Sequence, residues 1–79
     1  MPTEMEIDDE IIAYLAATNG HWRKVAMVIV RVTERLGLPD GPAGYDLVCK
    51  RIPVLVGNGK LVAQGDISLW RNSELRLPS

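Results

Sequence analysis

The residues that could do chemistry are few and far apart. His21 is the only histidine and Cys49 the only cysteine. A histidine metal cluster, or a Ser-His-Asp set with a spare partner, therefore cannot be assembled. A reactive thiol needs a base or a positive field beside it. Lys50 and Arg51 follow Cys49 in the chain, but helical neighbours point in different directions, so packing is the expected role of Cys49. The clustered carboxylates Glu4, Glu6, Asp8, Asp9 and Glu10 suit a helix start better than a pocket. Gly57-Asn58-Gly59-Lys60 has the glycines and lysine of a phosphate loop, without its spacing or its strand-to-helix order. The expectation is a protein that is not an enzyme, with no metal, cofactor or small-molecule ligand.

Binding chemistry remains. Lys50, Arg51, Lys60 and Arg71 are the residues expected to contact nucleic acid, the first two from an exposed helix face and Arg71 from a loop. Asp46 on the same helix would repel a phosphate backbone, and so few bases give a thin electrostatic contribution. Trp70, an aromatic in a loop, should either fold back on the core or anchor a protein partner, and the spare apolar residues Met27, Val28 and Val30 would suit such a partner or a homodimer. Asp66, Arg71, Glu74 and Arg76, with Arg51 on the helix side, are expected to form a charged network that fixes the end of the chain.

The elements that must hold these residues fit one small domain, residues 1–79. Hydrophobic residues make up 47% of the chain, and phenylalanine is absent, so the core must come from Val, Leu, Ile and Ala. The net charge of -1 is uneven, because residues 1–10 hold five acids and no base, which leaves five acids against nine bases beyond them. Asp8 is the expected cap of a first helix over 8–18, with Ile7 and Ile12 as a hydrophobic staple. Trp22, Val25, Ile29, Val32 and Leu36 recur at helical spacing and predict a second, central helix over 20–36, capped by Thr18 or Asn19. Pro42 opens a third helix over 43–56 that carries Tyr45, Val48, Ile52 and Leu55 on one face. Pro53 interrupts it, which predicts a kink, or a short turn after a break.

After Gly57-Asn58-Gly59 come two strand-like segments, 60–64 and 72–77. Pairing them across a loop of 65–71 gives a wing, and a tight turn at Gly65-Asp66 is the competing register. The fold class expected is mainly α with a C-terminal β-hairpin, three helices plus a wing, winged helix-turn-helix-like. A lone cysteine, an acidic start and no long apolar run predict a soluble cytoplasmic protein without a signal peptide or membrane partner.

The last third also carries a recurrent pattern, in Arg51-Ile52, Leu55-Val56, Gly59, Leu61, Gln64-Gly65-Asp66 and Ser73-Glu74-Leu75-Arg76-Leu77-Pro78. With Trp22-Arg23-Lys24-Val25-Ala26, it resembles a bacterial domain family of unknown function that occurs as small stand-alone proteins and as the C-terminal part of longer ones. Pro53 and Leu75, where valine is usual, depart from that pattern. The resemblance implies a helical, winged-helix-like fold and no established activity.

Overall fold

In a computed structural model that describes residues 2–78, the chain is mainly helical with a small antiparallel sheet. Helix α1 is Glu4–Ala16. It starts earlier than expected and is capped by Thr3, not Asp8. The Thr3 hydroxyl accepts from the Glu6 N–H at 3.1 Å, and the Glu6 carboxylate accepts from the Thr3 N–H at 3.0 Å. This reciprocal pair satisfies two backbone donors that a helix start leaves orphaned. Ile7 therefore lies inside the helix, where it joins Ile11 and Leu15 on the buried stripe. The expected staple between Ile7 and Ile12 does not form.

The second correction lies at residues 20–24. The backbone turns through left-handed conformations at Asn19 and Gly20 (φ 57° and 82°), and then extends. Strand β1, Arg23–Lys24, forms where the first turns of a helix were expected, and helix α2 is only Val25–Arg35. Thr18 does not cap it. Its hydroxyl donates to the Leu15 carbonyl at 2.7 Å. Helix α2 is central to the core, burying Val25, Val28, Ile29, Val32 and Thr33. It ends where Gly37 (φ 68°) lets the Leu38 N–H return to the Thr33 carbonyl and the Gly37 N–H to the Glu34 carbonyl.

The third helix divides into α3, Pro42–Cys49, and α4, Arg51–Gly57, with Lys50 as the joint. Pro53 accounts for the division. As the third residue of α4 it needs no helical hydrogen bond there, whereas in an unbroken helix its missing N–H would leave the Cys49 carbonyl unpaired. Gly44 has a steric role, since a Cβ at that position would sit 2.0 Å from the Pro39 carbonyl oxygen. The connector thus runs directly against α3. Helix α4 stops at the glycines as expected, with the Lys60 N–H bonded to the Leu55 carbonyl and the Gly59 N–H to the Val56 carbonyl.

Strands β2, Val62–Gln64, and β3, Glu74–Arg76, pair antiparallel across the long loop, in the wing register, with Ala63 opposite Leu75. Strand β1 adds to the other side of β3, Arg23 opposite Leu75, so the sheet order is β1-β3-β2. Leu75 is fully buried beneath the helices, and Leu61 seals the end of α4. The described residues thus form a mainly helical domain, its third helix divided in two, with a β-hairpin wing and an added strand that a two-residue signal could not announce.

Candidate functional site

Of the four basic residues expected to contact nucleic acid, Arg51 and Lys50 are engaged by carboxylates, and Lys60 and Arg71 form no ion pair among the described residues. Arg51 turns inward onto α1. Its Nε and Nη2 donate to the two carboxylate oxygens of Asp8 at 2.8 and 2.9 Å, and Nη1 donates to Glu4 at 3.1 Å. The Arg51 and Asp8 side chains are only 17% and 19% exposed. The Asp8 hydrogen bond, with the charges of Asp8 and Glu4, holds the guanidinium pKa above its ordinary value. Such a bidentate pair in partly dry surroundings is geometrically demanding and locks two helices in register. Arg51 is therefore a joint between α1 and α4.

Lys50 lies in the open at the α3–α4 joint and reaches Asp46 at 3.1 Å, one turn back. Lys60 is exposed in the turn after α4. Arg71 is exposed on the wing loop. Asp46, expected to repel a phosphate backbone, pairs with Lys50. A second ionic contact ties α1 to the end of α2, through Glu10 and Arg35. The acidic start of the chain thus serves cross-helix pairing as well as the helix N-terminus.

Among the described residues, Asp66, Arg71, Glu74 and Arg76 form no ion pair with one another or with Arg51, so the charged network expected around the hairpin does not form. Asp66 accepts from the N–H and hydroxyl of Ser68 at 2.9 and 2.7 Å, and these two bonds lower its carboxyl pKa, the hydroxyl more strongly. Glu74 accepts from the Gln64 amide at 2.7 Å. Arg76 stacks on Trp22, its guanidinium 4.8 Å from the ring centroid. Asp66 braces its own turn, Glu74 and Arg76 tie β3 to the segments on either side of it, and Arg51 joins none of them.

What the wing loop does build is a groove. The Asp66–Ser68 turn leads into a 3₁₀ turn, Trp70–Asn72. The Leu69 N–H bonds to the Asp66 carbonyl at 2.8 Å, and the Leu69 carbonyl accepts from the Asn72 N–H at 2.9 Å and the Ser73 hydroxyl at 2.8 Å. So braced, the loop folds back on the helices. The Trp70 ring meets Tyr45 of α3 edge-on, centroids 6.4 Å apart and planes at 80°, a favoured aromatic geometry. Beside this pair lies a cavity of about 510 Å³, lined by Ala26 and Val30 of α2, Tyr45, and loop residues 68–72. Leu69 on its wall is 53% exposed.

Trp70, expected either to fold onto the core or to anchor a partner, does the first and leaves one side toward the groove. Met27 is 45% exposed on α2, one turn from Val30. Val28, which the apolar run grouped with Met27 as surface, is buried in the core instead. The groove itself was not legible, because Ala26, Tyr45 and Leu69 carry no shared pattern in sequence. The spacing of Glu4 and Asp8, one turn apart on α1, was the available signal for a basic partner across the helix.

His21 is exposed in the turn before β1, and Cys49 is half-buried against the core. Among the described residues no three His, Cys, Asp or Glu side chains converge as a metal site would require. No described helix is long and apolar enough to cross a membrane. No family model, curated protein or solved structure matches the chain.

Proposed function

We propose that the chain is a non-enzymatic interaction module that receives a segment of a protein partner in the groove between α2, α3 and the wing loop. The observation that carries this reading is the groove itself, an apolar depression with a half-exposed leucine on its wall and an aromatic pair at its side. Grooves of this size and lining suit anchoring side chains of a partner. The loop that forms the wall is held by its own hydrogen bonds, so little ordering is required on binding.

A photo-reactive benzophenone side chain placed at position 69 tests it in host-cell extract. The expected result is an adduct with one polypeptide, lost when Val30→Glu alters the groove floor. An adduct of two copies of this chain would assign the groove to homodimerisation. Nucleic acid is the second reading, favoured by Arg23, Lys24, Lys60 and Arg71, which form no ion pair among the described residues. A gel shift with random duplex DNA that is strongest at low salt, without any adduct at position 69, would replace the first reading with this one.

A further inference from the structure

We infer that the occupant of the groove is an acidic amphipathic segment of a protein partner, with bulky apolar anchors along one face and a carboxylate toward the start of α2. This rests on the interaction reading above and adds the chemistry of the partner. The apolar half of the argument is the surface left uncovered. Leu69 and Met27 are 53% and 45% exposed, and Val30, Tyr45 and Trp70 are half-buried beside them. Met27 and Val30 are neighbours on α2, so the apolar surface runs past the cavity along the helix. That extent fits a helix laid in a groove, with anchors one turn apart.

The acidic half comes from charge. Arg71 is the one ionised side chain that lines the cavity, and no carboxylate does. At the same end stand Arg23 and Lys24, exposed on the strand that leads into α2 and touching the 3₁₀ turn. None of the three forms an ion pair among the described residues. Helix α2 begins without any side-chain cap, and its second residue, Ala26, lines the groove. The Val25 N–H is taken by the Ser73 carbonyl, and the remaining positive field of this helix start favours an anion nearby. Of the carboxylates around it, Asp66 is engaged by Ser68 within its own turn, and Glu74, opposite Lys24 in the sheet, accepts from the Gln64 amide. A cationic end on an apolar groove selects an acid over a base in its occupant.

Two labelled peptides of about 16 residues, with one Leu/Met face and either Glu or Lys on its flanks, test this by fluorescence anisotropy. At about 50 mM salt the Glu peptide is expected to bind at least roughly tenfold tighter than the Lys peptide. Arg71→Gln should reduce that preference and Arg71→Glu reverse it, while Leu69→Glu should abolish binding of both. These are exposed loop positions, and an unchanged circular dichroism melt confirms folding. Equal binding of the two peptides would overturn the acidic assignment and leave the interaction reading standing. If neither peptide binds while position 69 still yields a polypeptide adduct, the assignment fails and the module reading survives. Tighter binding of duplex DNA than of the Glu peptide, lost in Arg71→Gln, would overturn both.

Discussion

Two flanks of the third helical segment have opposite character. Toward α1, helix α4 buries Ile52 and Leu55 and closes with the Arg51–Asp8–Glu4 contact. Toward the wing loop, α3 offers Tyr45 to Trp70 and leaves a cavity of about 510 Å³. On the first flank Arg51 is paired, and Ile52 and Leu55 are covered. On the second, Arg71 is unpaired among the described residues and Leu69 is exposed. The same basic residue type is thus structural on one flank and available on the other. Charge count alone cannot separate these roles, but the presence of a partner carboxylate does.

This contrast can be broken most directly at the packed flank. Ile52 is 1% exposed, so Ile52→Ala should cost about 2–5 kcal/mol. A Tm lower by roughly 10 °C or more is expected by calorimetry. Val30→Ala on the groove floor should cost well under half of that, because its cavity is already open to solvent. Equal losses at the two positions would erase the distinction.

A middle-sized effect is expected from the ionic joint. Arg51→Gln leaves Asp8 without its bidentate partner, and Tm should fall by about 5 °C. Asp8→Asn should add little on top of it, since both variants remove the same contact. Peptide binding at the groove should stay unchanged in either variant. A shift in groove affinity would show that the two flanks communicate.

The smallest effect concerns pH and the start of α1. Hydrogen bonds from the Thr3 backbone, and then its hydroxyl, hold the Glu6 pKa below its ordinary 4.5. A depressed folded-state pKa contributes stability above the unfolded value, which is lost as pH falls through the folded one. Glu6→Ala should therefore lower Tm by roughly 2–4 °C at pH 7. The gap to the parent protein should narrow as pH falls below 4.5, as thermal melts along a pH series would show. A gap that is constant with pH would show that the Glu6 charge does not carry the loss.

How far the sequence anticipates this molecule depends on the range of the interaction. Local signals read well. The glycine stop after α4, the helical stripe of α2 and the alternation at 74–77 each predict an element that is present, because each is set by neighbours in the chain. Asp8 misled because a good cap residue is equally a good ion-pair partner, and Thr3-x-x-Glu6 supplied the stronger cap. Trp22 misled because its spacing to Val25 fits a helix, while its actual contact is Arg76, across the sheet. The groove depends on the loop of residues 65–73 folding back over two helices, and no period in the sequence encodes that.

The sheet order carries a consequence for how the domain is made. Strand β3 is the last element in the chain and the middle strand of the sheet, with β1 and β2 both waiting for it. During synthesis the helices can collapse first, but both flanking strands remain without a hydrogen-bonding neighbour until residue 76 has left the ribosome. Before that moment Trp22 has no cation above it, and the first tie of the sheet to α2, from Val25 to Ser73, is also missing. Strand β3, coming after both of its neighbours, acts as a latch that closes the sheet in one late step.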